Sequence, residues 1–172
     1  MTRRLLLLRH GEASSPAGVA DWDRPLTRRG TEQCRRLGDL LPDGGTGTDW
    51  RAAHVVVSPA LRAQQTWAAL SAAVGYVDSA VTDARLYPGS VDAVVEVVRE
   101  TPPDAPTMLV VGHNPSVSGA AASLDAWPDP ALAARLRDGY PTGMLTTFEV
   151  DLDWAQVGPD AARLVDTRHV RP

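Results

Sequence analysis

Three short apolar segments, each followed at once by polar residues, constrain the fold of this chain more than any other feature. They are LLLL at 5–8, VVV at 55–57 and MLVV at 108–111. Each has the length of a buried β-strand and is far too short to cross a membrane. Helical patterns separate them, and strands that alternate with helices predict a mostly parallel sheet. We therefore expect an α/β fold with three layers, in which helices cover both faces of a central sheet.

The remaining periodic patterns predict the order of the elements. Strands are expected at Arg3–Leu8, His54–Val57, Val77–Val81, Thr107–Val111, Met144–Val150 and Ala161–Val165, the last two antiparallel. Helices are expected from the N-cap Thr27 to about Leu41, from Leu61 to about Val74, after the N-cap Ser90, from Pro115 or Ser116 to about Leu124, and near Leu132. Loops are expected at 43–49 and over most of the proline-containing segment 125–143. No repeat or linker divides the chain, so residues 1–172 are expected to form one domain without a large inserted cap.

Composition and charge exclude several classes of protein. Apolar residues make up 44% of the 172 residues and charged residues 22%, which is typical of a globular chain. The net charge of −4 argues against nucleic-acid and anionic-membrane partners. A single cysteine, Cys34, excludes an internal disulfide, is expected in the core, and favours a reducing cytoplasm. All 17 basic residues are arginine, so only the position of an arginine is informative.

The polar groups that follow the three apolar segments are expected to meet in one crevice. They are RHG at 9–11, SPALRAQQT at 58–66 and GHNP at 112–115. Ligands of open α/β sheets bind outside the carboxyl ends of the strands, where these groups lie. The crevice would hold the side-chain amide of Asn114 and four cationic or imidazole side chains, those of Arg9, His10, Arg62 and His113. Helices starting near Ser58 and Asn114 would add N–H donors, so the sequence predicts a phosphoryl-binding site.

The chemistry that this residue set favours is nucleophilic attack by a neutral imidazole on phosphorus. Nearby arginines would lower the histidine pKa and stabilise charge on the phosphoryl oxygens, and neither a metal nor a cofactor is required. A metallohydrolase with His10 and His113 as ligands is the less favoured alternative. Two arginines would then face a cation, and the carboxylate set is incomplete. A phosphate-dependent binding module with little turnover is a further alternative.

The segments LLLLRHGEA, VVVSPALRAQQTWAAL and MLVVGHNPSV resemble the histidine phosphatase superfamily, which has the phosphoglycerate-mutase-like fold. The motifs DRPLTRRG, RLY, VVGHNP and YPTGM are most similar to those of SixA-type phosphohistidine phosphatases. The resemblance implies that His10 is the phosphorylated nucleophile, and that Arg9, Arg62 and His113 form the phosphate pocket. It also matches Thr27 and Gly30 to the helix start LTxxG, a structural role.

The proton donor is not fixed by these motifs. Larger members of the family carry an acidic donor supported by a long insertion, and this chain has little room for one. Asp83, just before ARLY, is the positional candidate, and Glu12, Asp21 and Asp23 are rivals. A missing donor fits a phosphohistidine substrate. When protonated on its other ring nitrogen, it departs as neutral imidazole, whose conjugate acid has a pKa of roughly 6.5, and this leaving group needs less acid help than an alkoxide.

Two substrates remain open from the sequence. The favoured one is phosphohistidine in a partner protein, since a pocket without a large lid admits a side chain of another protein. The alternative is a small phosphorylated metabolite hydrolysed by the same catalytic core.

Overall fold

A six-stranded sheet forms the centre of the molecule in a computed structural model that describes residues 2–41, 50–75, 80–126 and 128–171. The strands are β1 (Arg3–Arg9), β2 (Ala53–Val57), β3 (Val81–Thr82), β4 (Thr107–Gly112), β5 (Met144–Val150) and β6 (Arg163–His169). The helices are α1 (Arg28–Asp39), α2 (Leu61–Val74), α3 (Val91–Arg99), α4 (Ser116–Leu124) and α5 (Pro130–Arg137). Among these residues, no helix is both long and apolar enough to cross a membrane.

The strand order is β3-β2-β4-β1-β5-β6, and the first four strands of that order run parallel. The pairs β1–β5 and β5–β6 are antiparallel, as predicted for the last two strands. In the register, Arg9 pairs with Gly112 and Val57 pairs with Val111. The three central strands therefore end side by side, and the residues that follow them start from one edge of the sheet.

The four leucines at 5–8 are all fully buried because β1 is covered on both faces. Leu5 and Leu7 pack in one core with side chains of α3 and α4, while Leu6 and Leu8 pack in a second core with side chains of α1 and α2. This arrangement explains the continuous apolar run, since a strand with one solvated face would alternate. The three-layer α/β prediction is confirmed.

Several predicted boundaries differ from the observed ones. The strand predicted at Val77–Val81 is observed only at Val81–Thr82, and both 77–79 and the predicted loop 43–49 lie outside the described residues. The last strand begins at Arg163 rather than Ala161 and runs on to His169. It is an edge strand with polar residues at several positions, so the sequence lacks the apolar pattern that would predict its full length. The helices expected near Ser58 and Asn114 begin at Leu61 and Ser116.

Gly30 allows the first turn of α1 to lie directly on the backbone that follows His10. A Cβ at Gly30 would collide with the Glu12 carbonyl oxygen, and the N–H of Gly30 donates to the Thr27 hydroxyl oxygen (2.8 Å). The N–H of Thr27 in turn donates to the Glu12 carbonyl (2.9 Å). This contact fixes α1 against the loop of the first motif.

We expect Gly30→Ala to lower the free energy of unfolding by about 1–3 kcal/mol, because backbone atoms cannot yield to the added methyl group. Chemical denaturation monitored by circular dichroism measures the change. Arg28→Ala, on the same helix, is the matched control and should change stability by less than about 0.5 kcal/mol. Equal stability of the two variants would contradict the close approach.

Candidate active site

His10 leaves the sheet directly after β1, and its backbone N–H donates to the carbonyl of Gly112 at the end of β4 (3.0 Å). The Nδ1 atom of its ring lies 2.7 Å from the Gly11 carbonyl oxygen, so Nδ1 carries the proton. Nε2 is then the unprotonated nitrogen, and it accepts a hydrogen bond from Nε of Arg62 (3.3 Å). The imidazole is held in the tautomer whose lone pair points into the crevice.

Arg62, the second residue of α2, is buried, with 6% of its surface exposed. Besides the bond to His10, its Nη1 donates to the backbone carbonyl of Asp21 (2.6 Å) and its Nη2 to the Asp21 carboxylate (3.0 Å). Its own carbonyl accepts from the Thr66 hydroxyl (2.7 Å), which accepts in turn from the N–H of Gly11 (3.0 Å). Hydrogen bonds therefore hold Arg62 both at its guanidinium and at its backbone carbonyl.

Arg9 and Asn114 converge on one backbone carbonyl, that of Tyr140. Nη1 of Arg9 donates to it at 2.6 Å and Nδ2 of Asn114 at 3.0 Å. The Tyr140 hydroxyl is itself buried and donates to the Leu7 carbonyl (2.8 Å). The segment 139–143, in which the sequence indicated no function, therefore positions two predicted site residues. The motif YPTGM, which begins at Tyr140, was the sequence signal that could have indicated this role.

His113 follows β4, and its ring centroid lies 5.0 Å from that of His10. Its Nε2 is 2.8 Å from the hydroxyl of Ser58, the residue that follows β2. When the hydroxyl donates this bond, the ring proton resides on Nδ1. Nδ1 of His113 and Nε of Arg9 are both buried and have no hydrogen-bond partner among the described residues. Buried polar atoms without a partner are rare, and these two fit an anionic ligand, whereas the third in this site, the acceptor Oδ1 of Asn114, does not.

Both imidazoles are neutral at physiological pH. Burial, followed by the charges of Arg62 and Arg9, lowers the pKa of His10 to about 4. Burial first, and then the neighbouring His10 and the same two guanidiniums, lower the pKa of His113 to about 3. A neutral His10 retains the lone pair that nucleophilic attack requires.

The structure adds two candidates to the site. From the sequence, Asp21 was only a rival proton donor and Tyr87 had no role. The Asp21 carboxylate accepts from the Tyr87 hydroxyl (2.7 Å) and from Arg24 (2.8 Å) as well as from Arg62. These bonds, that from Tyr87 first, hold the pKa of Asp21 well below its ordinary value. The Tyr87 ring packs edge-on against His113 (5.5 Å) and against Trp22 (4.8 Å), which forms an aromatic wall. The RLY motif contained Tyr87 but gave it no role.

Asp83, the positional candidate for the proton donor, lies at the end of β3 and is held by Arg85. Two nitrogens of the Arg85 guanidinium contact its carboxylate, the shorter contact being 2.7 Å. Its hydrogen bonds with Arg85 lower the pKa of Asp83, so the carboxyl is ionised at neutral pH. Of the rivals, Glu12 accepts from the Thr27 hydroxyl (2.7 Å), and only Asp21 is bonded to a predicted pocket residue. The geometry therefore favours Asp21 over Asp83 as the carboxylate beside the reaction.

The other reactive side chains have different positions. Cys34 is buried in α1, and burial raises the pKa of its thiol to about 11, which fits the predicted core role. Within the described ranges, no three His, Cys, Asp or Glu side chains are arranged to hold a metal ion.

Comparisons with known proteins identify a family, a relative and solved structures to which this chain is similar. The model of the histidine phosphatase superfamily (branch 1) matches residues 5–87. An uncharacterised protein of Mycobacterium tuberculosis (strain H37Rv) is 33% identical over 162 residues, which cover 92% of this chain and 96% of the relative.

Two solved structures have the same fold over nearly the whole chain. A putative phosphohistidine phosphatase SixA from Nakamurella multipartitia is 30% identical with a TM-score of 0.82, covering 98% of this chain and 96% of that one. A putative phosphohistidine phosphatase SixA from Agrobacterium tumefaciens is 24% identical with a TM-score of 0.78, covering 99% and 98%. The phosphoglycerate-mutase-like fold inferred from the motifs is confirmed.

We expect His10 to remain neutral, with Nδ1 protonated, from about pH 5.5 to pH 8, because its pKa is lowered to about 4. Nitrogen-15 NMR of the imidazole rings distinguishes the protonated nitrogen from the bare one. A short peptide with the sequence of residues 8–12 is the control, and its histidine should titrate near a pKa of about 6.5. Titration of His10 in the folded protein at that same value would contradict the described environment.

Proposed function

This chain belongs to the SixA-type members of the histidine phosphatase superfamily, and we propose that it removes the phosphoryl group from phosphohistidine in a partner protein. The reaction proceeds through a phosphorylated His10 and uses no metal. The observation that carries the proposal is the orientation of His10, whose bare Nε2 faces Arg62 while Nδ1–H is held by the Gly11 carbonyl. The similarity to the protein from Nakamurella multipartitia supports the choice of substrate.

In the first step, the lone pair of His10 Nε2 attacks phosphorus, and the bond between phosphorus and the substrate nitrogen breaks. The substrate imidazole, which carries a proton on its other ring nitrogen, leaves in its neutral form, with the bonding electron pair on the nitrogen that carried phosphorus. Arg9, Arg62 and His113 surround the phosphoryl oxygens and stabilise their charge in the transition state. The hydrogen bond that His10 Nδ1–H donates to the Gly11 carbonyl orients the ring and stabilises the positive charge that His10 gains.

In the second step, a water molecule attacks phosphorus, and the bond between phosphorus and His10 Nε2 breaks. The products are inorganic phosphate and free His10. The attacking water must lose a proton, and the ionised Asp21 carboxylate, bonded to Arg62 and Tyr87, is the base that the pocket offers.

The ionisation of the nearby carboxylates favours phosphohistidine over an ester substrate. An alkoxide leaving group needs a general acid, but hydrogen bonds keep both Asp21 and Asp83 ionised through lowered pKa values. A departing imidazole needs little help from an acid, because its conjugate acid has a pKa of roughly 6.5. The site is therefore better matched to cleavage of a P–N bond than of a P–O bond.

We expect brief incubation with a phosphorus-32-labelled phosphohistidine peptide, followed by an alkaline quench, to leave label on the peptide that contains RHGEA. His10→Ala should abolish both label and turnover, because no other neutral nitrogen holds this position. His113→Ala should slow labelling by about 10²–10³ and not abolish it, since it removes one oxyanion donor. His54→Gln is the control outside the site. Turnover by His10→Ala near the normal rate would exclude the mechanism.

We expect the native enzyme to hydrolyse a phosphohistidine peptide with a kcat/KM at least about tenfold above that for an alkyl phosphate, a difference of 1.4 kcal/mol. Asp21→Asn should reduce kcat by about 10²-fold and increase the steady-state level of phosphorylated enzyme, because it removes the base of the second step.

Asp83→Asn is the matched control for Asp21→Asn. It should change kcat/KM for both substrates by less than about twofold, because Asp83 bonds to Arg85. A selective loss of ester hydrolysis in Asp83→Asn would instead assign the proton donor to Asp83. A native preference for the ester would assign the enzyme to small metabolites.

A further inference from the structure

The sheet edge that holds His10 continues past the pocket to β5 and β6. β5 runs antiparallel to β1, and Leu145 near its start pairs with Leu8 near the end of β1. Met144, the first residue of β5, pairs with His169, the last residue of β6. The start of β5 and the end of β6 therefore lie on the same edge of the sheet as the residues that follow β1 and β4.

Two adjoining cavities, of about 570 Å³ and 450 Å³, lie along this part of the edge, and Arg171 lines both of them. Six arginines line them, and we call this surface the basic groove: Arg28, Arg29, Arg36, Arg135, Arg168 and Arg171. The acidic lining residues are Asp138 and Glu32, and Glu32 already binds Arg35 and Arg36. The groove is thus a positive surface on a chain whose net charge is −4.

Two of these arginines, Arg28 and Arg171, have guanidiniums without a hydrogen bond or an ion pair to any described residue. Arg135, by contrast, donates to the carbonyl and hydroxyl of Thr167. Burial and the charge of Arg171 lower the pKa of His169, so the positive charge of the groove at neutral pH comes from arginine. Arginine forks bind carboxylates and phosphates in a bidentate geometry, so a protein segment that this groove binds is one with negatively charged side chains.

The wall of the basic groove is joined directly to the loop that carries His10. Gln33, which lines the groove, accepts from the N–H of Glu12 (3.2 Å) and donates to the carbonyls of Thr142 (2.8 Å) and Val170 (2.6 Å). The N–H of Gly143 donates to the carbonyl of His10 (2.9 Å). The groove and the phosphate pocket are therefore neighbours on one edge, joined by these hydrogen bonds.

We propose that the basic groove binds an acidic segment of the phosphorylated protein whose phosphohistidine enters the pocket. This inference rests on the proposed function, because only a macromolecular substrate covers both surfaces at once. A chain of negative net charge repels an acidic partner at a distance, so a local positive surface both attracts it and sets its orientation. Favourable contacts at the groove hold the partner while the phosphoryl group is transferred.

Two synthetic peptides test the proposal directly. Both carry one phosphohistidine, and four flanking residues are glutamate in one peptide and glutamine in the other. At low ionic strength the native enzyme should hydrolyse the glutamate peptide with a kcat/KM about tenfold higher. The preference should decrease with added salt, because five of the six arginines are exposed to solvent.

The double variant Arg28→Glu/Arg171→Glu should remove the preference for the glutamate peptide and leave turnover of free phosphohistidine within about twofold of normal. Arg28 is the first residue of α1, where a negative charge is favourable to the helix, so folding is preserved. Arg137→Glu, an exposed arginine of α5 outside both cavity linings, is the control of equal charge change and should keep the preference.

The outcomes separate the groove from the proposed function. Hydrolysis of both peptides at equal rates, or an equal loss of preference in Arg137→Glu, would overturn the docking role and leave the proposed function intact. Hydrolysis of neither peptide, alongside hydrolysis of an alkyl phosphate, would overturn the proposed function. In that case, fluorescence anisotropy of the unphosphorylated peptides tests the docking role of the groove. Tighter binding of the glutamate peptide than of the glutamine peptide would support that role, and equal binding would overturn it. A salt-sensitive dimer that the double variant abolishes would assign the groove to a second copy of the chain and also overturn the proposal.

Discussion

The parallel pairing of β4 with β1 on one side and β2 on the other is the constraint on which the site depends. Beyond the last paired residues, the N–H of His10 donates to the Gly112 carbonyl (3.0 Å) and the N–H of Ser58 to the Val111 carbonyl (2.9 Å). The pairing therefore extends one residue into each functional segment. It brings His10, Ser58 and His113 to one height above the sheet although about fifty residues separate consecutive members. The buried leucines and valines of these strands fix that geometry, because a shift of one residue would turn every side chain to the opposite core.

A second dependence runs through Tyr140, which connects the core to the pocket by hydrogen bonds of both its side chain and its backbone. Its buried hydroxyl bonds to the Leu7 carbonyl and to Thr146, while its carbonyl receives Arg9 and Asn114. Burial raises the pKa of this hydroxyl above its ordinary value, so it remains a donor throughout the physiological range. Two polar side chains are thereby held by a backbone atom, which is a more rigid support than a second mobile side chain.

The sequence predicts those parts of the fold that local patterns determine. The N-caps Thr27 and Ser90 and the bounds of α2 agree with the structure, because capping and helical periodicity are set by neighbouring residues. The association of Asp21 with Arg62 was not predicted, since it joins residues 41 positions apart and Asp21 lies in a single 3-10 turn, which is too short to show a period. Asp83 was favoured by its place before ARLY, but sequence position alone does not reveal that Arg85 binds its carboxylate.

The sharing of Arg62 between His10 and Asp21 has a consequence for the balance between binding and turnover. All three guanidinium nitrogens of Arg62 are bonded in the described structure, one to His10 and two to Asp21. A phosphoryl dianion that approaches Arg62 therefore meets a carboxylate of the same sign, which weakens binding of substrate and inorganic phosphate alike. Ground-state binding does not accelerate the chemical step, whereas charge that develops on the phosphoryl oxygens in the transition state draws more strongly on the same guanidinium. In the proposed mechanism, the ion pair thus favours release of phosphate and leaves the strongest interaction of Arg62 to the transition state.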